Sequence, residues 1–116
     1  MPLTVEWLRD FALTLVVEIP VYTVALRGRL GWRRALLVAL GVNAATHPIA
    51  WHLIVRAQRP WPDAFAAVEI GVWLVEAALV FAFARRRGLP LSEAVVTAFV
   101  ANALSAGLGL MLAAAR

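Results

Sequence analysis

A chain of 116 residues that is 63% hydrophobic and only 16% charged cannot cover a soluble core with polar surface, so its solvent is largely lipid. Its net charge of +4 comes from eleven arginines, which cluster in short stretches beside apolar runs. There they signal membrane orientation and argue against a nucleic-acid footprint. No cysteine is present, which excludes disulfides and thiolate metal sites, and the all-arginine, alanine-rich composition points to a bacterial source.

The N-terminal stretch Met1–Trp7 lacks a basic n-region and a cleavage pattern, so it is expected to stay with the mature protein. The first apolar run, about Leu8–Leu26, carries Glu18 and then Pro20. An arginine-rich turn, Arg27–Arg34, leads to the second run, about Ala35–Val55. In that run Asn43, His47 and Trp51 are spaced i, i+4, i+8 and share one helix face, and Pro48 follows His47. After a turn over Arg56–Asp63 the third run, about Ala64–Ala84, holds Glu69 and Glu76. These are seven residues apart, two helical turns, so both leave one face with Trp73 nearly on it between them. A second arginine turn, Arg85–Pro90, precedes the fourth run, about Leu91–Ala115, whose Asn102, Ser105, Gly109 and Ala113 form a stripe suited to close helix approach.

Each run is near the roughly 20 residues that a helix needs to cross the hydrocarbon of a bilayer. The expected fold is therefore all-α, a four-helix transmembrane bundle forming one domain over residues 1–116. The first and third turns carry seven arginines, and the opposite side carries Arg9, Arg56, Arg59 and Arg116. That bias places turns one and three in the cytoplasm of a bacterial inner membrane and both termini in the periplasm. Trp7, Trp51 and Trp61 then fall at the outer interface and Trp32 at the inner one.

The chain also reads as two copies of a helical hairpin. Val17-Glu18 matches Val75-Glu76, and with one inserted residue in the turn, Ala35–Ala44 matches Ala94–Ala103. Asn43 then aligns with Asn102 and Thr46 with Ser105. Two hairpins of two spans each share one orientation, so the copies should be related by an axis along the membrane normal.

Counted from the helix ends, Glu18, Asn43, Glu76 and Asn102 fall close to one depth, with His47 and Glu69 one to two turns outward. A carboxyl at the bilayer centre costs about 2.5–3.5 kcal/mol on insertion scales, so these glutamates should face a partner or a cavity. Pro20 and Pro48 free the carbonyls of Val16 and Ala44, which are expected to turn toward the same interior. Carboxyls, an imidazole and amides together suit a hard or borderline cation or a proton relay.

The motifs Glu18-x-Pro20, Asn43-x-x-Thr46-His47-Pro48-x-x-Trp51, Glu69-x6-Glu76-Ala77 and Asn102-x-x-Ser105 resemble those of small four-helix bacterial integral membrane proteins. The resemblance implies the architecture and no particular activity.

The function expected from the residues is binding, and passage, of a small cation, a proton or a divalent metal. Glu18, Glu69, Glu76, His47, Asn43 and Asn102 form the site, and Glu69, Glu76 and His47 are the metal-ligand candidates. The cofactor that these ligand types suit is a divalent metal ion. The partners are the lipid bilayer, with a homo-oligomer as one way to enclose a path, and no nucleic acid. One alternative is an assembly subunit whose polar residues fix helix packing and dock a larger membrane partner. The other is a metal-dependent intramembrane enzyme. No catalytic residue is assigned, because the chain has no His-Glu-x-x-His, no Glu-x-x-His and no glycine-rich loop after a strand.

Overall fold

The computed structural model describes residues 5–56 and 61–115. Over these the chain forms four helices: α1 (Val5–Leu30), α2 (Trp32–Arg56), α3 (Trp61–Ala84) and α4 (Leu91–Ala114). All four are long and apolar enough to cross a membrane. Most of the turn expected over Arg56–Asp63, with Arg59, lies outside the described residues, as does Arg116. The interfacial placement expected of the Trp61 ring and the Ala113 end of the α4 stripe likewise fall on side chains outside the description.

The first turn is far shorter than the eight residues Arg27–Arg34. Helix α1 runs on to Leu30, and Gly31 alone separates it from α2. Arginine is a good helix former, and Arg27 and Arg29 in the last turn complement the negative end of the helix dipole. Gly31 then reverses the chain at φ 78°, a left-handed conformation that glycine adopts without a Cβ clash. Its amide donates to the Arg27 carbonyl at 2.9 Å, and its own carbonyl accepts from Ala35 at 3.0 Å, so one residue closes one helix and opens the next.

The turn between α3 and α4 closes differently. Arg85–Arg87 tighten into a 3-10 turn, Gly88 takes φ 88°, and the Leu89 amide reaches back to the Ala84 carbonyl at 3.3 Å. With the Gly88 amide on the Arg85 carbonyl at 3.0 Å, this is a Schellman ending, its apolar contact supplied by buried Leu89. Arg29 clips the two turns together. Its guanidinium donates to the Gly88 carbonyl at 2.8 Å and to Glu93 Oε1 at 3.2 Å.

Helix α1 packs on α2 and α4, α3 packs on the same two, and α1 and α3 face each other diagonally. The bundle measures 41 × 25 × 22 Å, its length close to a bilayer with its headgroup regions, about 40–45 Å. The half nearest the arginine turns is tightly filled by Tyr22, Leu26, Ala39, Val80, Ala94 and Ala98. Alanines at Ala35 and Ala39 on α2 and at Ala94 and Ala98 on α4 let each of these helices approach α1 and α3 closely, where van der Waals contact is the main attraction between helices in lipid.

The outward face is apolar, unlike that of a soluble bundle. Large apolar side chains point outward, as with Val16 at 72% exposure, Leu37 at 66% and Phe83 at 62%. Glu18, Asn43, Thr46, Glu76 and Asn102 are buried inside. Water would penalise that outer face; hydrocarbon does not.

Candidate functional site

In the half of the bundle away from the arginine turns the packing opens into a partly enclosed cavity of about 320 Å³. All four helices contribute to it by simple periodicity. On α1 the lining residues Asp10, Thr14 and Glu18 are spaced i, i+4, i+8, and buried Tyr22 continues the row below the floor. On α2 two adjacent rows line it, Asn43–His47–Trp51 and Thr46–Ala50–Ile54. Helix α3 gives Glu69, Val72 and Glu76, and α4 gives Asn102, Ser105 and Gly109. Glu18, Asn43, Glu76, Asn102, His47 and Glu69 thus line a single cavity.

Glu76 is 1% exposed and held by three side chains from three other helices. The Tyr22 hydroxyl donates to its Oε1 at 2.6 Å, Asn102 Nδ2 donates to the same oxygen at 3.1 Å, and the Thr46 hydroxyl donates to Oε2 at 2.6 Å. Glu18, 2% exposed, is held by one donor, the Ser105 hydroxyl, at 2.5 Å from Oε2. Both carboxyls are thus held from one turn of α4, Glu76 by Asn102 and Glu18 by Ser105, and both line the cavity. Glu18 Oε1 is buried and has no donor among the described residues.

The two asparagines, expected to orient the carboxyls alike, differ. Both donate Nδ2 to the carbonyl four residues back, Asn43 to Ala39 at 2.9 Å and Asn102 to Ala98 at 2.8 Å. Only the Asn102 amide is shared with Glu76; the bond recorded for the Asn43 side chain stays within its own helix.

His47 lies higher on the wall, its ring 4.9 Å from that of Phe11 and 5.9 Å from that of Trp7. Its Nδ1 is buried without a hydrogen-bond partner among the described residues. Trp7, at 5% exposure, turns inward and stacks on Phe11 at 5.0 Å. Trp73 departs from the position expected of it: its indole swings off the Glu69–Glu76 face, donates to the Val95 carbonyl at 2.9 Å and meets Phe99 edge-on at 5.2 Å. Trp32 stays exposed, with the Arg33 guanidinium 5.6 Å above its ring.

The prolines add nothing to the cavity. Helices α1 and α2 continue through Pro20 and Pro48, and Val16 and Ala44, whose carbonyls the prolines free, are exposed and do not line it. The metal-ligand candidates Glu69, Glu76 and His47 share the cavity but not one point. Among the described residues, no three His, Asp or Glu side chains are close enough to hold a metal ion.

Three donors were not picked out from the sequence as carboxyl ligands: Tyr22, Thr46 and Ser105. Each carried a signal in its spacing. Tyr22 is one turn beyond Glu18, Thr46 is three residues beyond Asn43, and Ser105 three beyond Asn102, so each shares a face with a buried polar residue.

No protein-family model matches the chain, and comparisons with curated proteins and with solved structures find no match.

Proposed function

We propose that this protein is a small polytopic membrane protein that binds a small cation on the carboxyl floor of its cavity. The observation that carries the reading is the Glu18–Glu76 pair, two buried carboxyls that line one cavity and are held from one turn of α4, with Glu18 Oε1 lacking a donor among the described residues. Two carboxylates in a low-dielectric interior repel strongly and call for one positive charge between them, which a proton or a cation supplies. A helix clamp needs acceptors that are satisfied. It gains nothing from one left open.

Glu18 and Glu76 then act as the binding carboxylates, Asn102, Ser105, Thr46 and Tyr22 orient them, and Glu69 and His47 line the approach. The cavity is blind toward the arginine turns, where Tyr22 and Leu26 are fully buried in packed side chains. Passage through the bundle therefore requires Tyr22 to leave Glu76. In this reading the protein sits in a bacterial inner membrane with both arginine turns cytoplasmic.

The same reading takes the bundle as two copies of one hairpin. Buried positions on α2, Ala35, Ala39, Val42 and Asn43, recur on α4 as Ala94, Ala98, Ala101 and Asn102. Thr46 serves the glutamate of α3 and Ser105 the glutamate of α1, a reciprocal exchange that a two-fold axis between the hairpins would produce.

The test is Glu76→Gln in the full chain in lipid nanodiscs, titrated with sodium, calcium, manganese and ammonium by calorimetry beside thermal unfolding. Glutamine keeps the shape and can still accept from Tyr22 and Asn102, but it carries no charge. The expected result is a folded protein whose cation affinity falls at least tenfold. Undiminished binding in folded Glu76→Gln would remove the cation reading and favour an assembly subunit.

A further inference from the structure

We propose that the cation this cavity takes is an organic ammonium carrying an apolar body, bound head-down on Glu18. The inference rests on the cation-binding reading and goes beyond it by naming the ligand class.

Size is the first argument. A cavity of about 320 Å³ holds on the order of ten water-sized or carbon-sized atoms, where a dehydrated inorganic ion would fill a small fraction of it. It falls at the lower end of the range typical of small-molecule pockets, roughly 300–1,000 Å³.

The floor is the second argument. Four of its donors are already committed: Tyr22, Thr46 and Asn102 to Glu76, and Ser105 to Glu18. The oxygen left over is Glu18 Oε1, on a side chain 98% buried that lines the cavity. A hard cation such as calcium takes six to eight oxygens and strips them from competing donors. An alkylammonium brings three N–H donors and no acceptor, so a buried carboxylate oxygen without a donor among the described residues, in a cavity lined by a second carboxyl, matches its head. His47 Nδ1, also without a partner among the described residues, and Glu69 stand on the walls above.

The walls are the third argument. Between floor and mouth they are mostly apolar, with Leu13, Ala50, Val72 and Leu110, and the rings of Trp51 and Phe65 lie toward the open end. Such walls contribute nothing to a hydrated ion. They bury the body of an organic cation, and aromatic rings attract its charge as it enters. The scatter of acidic and imidazole groups over different heights, with no three gathered for a metal among the described residues, fits the same ligand.

The probe is benzylammonium, with neutral benzyl alcohol as its uncharged counterpart and sodium, calcium and manganese as inorganic cations, each titrated into the full chain in nanodiscs. Benzylammonium should bind at least tenfold tighter than benzyl alcohol. Glu18→Gln places an amide where the head needs an acceptor and should weaken the amine tenfold or more, with thermal unfolding reporting that the protein is folded. Val72→Phe supplies a second arm: it fills the apolar wall and should weaken benzylammonium tenfold while changing inorganic-ion binding less than twofold. Inorganic cations binding where benzylammonium does not would overturn the ligand class and leave the cation reading standing. No binding by any cation would overturn both. Equal binding of benzylammonium and benzyl alcohol, or an amine affinity unmoved by Val72→Phe, would also overturn the proposal.

Discussion

The Tyr22 hydroxyl reaches across the bundle from α1 to donate to Glu76 Oε1 on α3 at 2.6 Å, joining two helices that face each other diagonally. Tyr22 also separates the cavity from the packed half, so one side chain is both the lid of the closed half and a ligand of the floor.

Tyr22→Phe keeps the packing and removes the hydroxyl. The cost expected is about 1–2 kcal/mol, that of one buried hydrogen bond to a carboxyl inside a membrane bundle, read as a lower midpoint in reversible unfolding from mixed micelles. Glu76 keeps two donors, so cation binding should change less than it does in Glu76→Gln. A Tyr22→Phe protein as stable as the parent would show that the cross-bundle bond contributes nothing to the fold.

The asparagines should behave unequally although they occupy matching helix positions. Asn102→Ala withdraws a donor from Glu76 and is expected to weaken cation binding about tenfold, equivalent to about 1.4 kcal/mol. Asn43→Ala removes a bond internal to α2 and should lower stability by about 1 kcal/mol with little change in affinity. Calorimetry of the two variants side by side decides it, and equal losses of affinity would contradict the asymmetry.

Glycines separate turn chemistry from packing. Gly88 sits at φ 88°, and a Cβ there would approach the Arg29 guanidinium to 3.3 Å. Gly88→Ala should therefore cost about 1 kcal/mol or more and loosen the Arg29 clip. Gly41 is helical, with no atom within 4 Å of an added Cβ. Gly41→Ala should be neutral or stabilise by up to about 1 kcal/mol. Thermal melts of the pair in one detergent give the comparison.

Orientation follows from charge. Reporter fusions within Arg27–Arg34 and Arg85–Arg87 should be cytoplasmic, and those at either terminus periplasmic, because seven arginines flank one side and four the other. Periplasmic reporters at both turns would reverse the orientation and leave the four-helix bundle intact.

The sequence by itself determined four runs long and apolar enough to cross a membrane and six of the polar side chains that line the cavity. Both follow from insertion energetics: runs of about 20 apolar residues and polar side chains within them stand out however the helices are turned. Glu18, Glu69, Glu76, His47, Asn43 and Asn102 were legible on that ground. The tertiary structure decided what each one touches. Tyr22 bonds Glu76 and not its own neighbour Glu18, Asn102 joins the carboxyl where Asn43 does not, and Trp7 points inward while Trp73 leaves the acidic face. Those outcomes depend on the rotation of each helix about its axis. Apolar periodicity encodes that rotation poorly here, because lipid tails are as apolar as a leucine core and leave the outward face as hydrophobic as the inward one. Rotation was set by close packing of alanines and by the pairing of buried donors with carboxyls, and both exist only once the four helices are side by side.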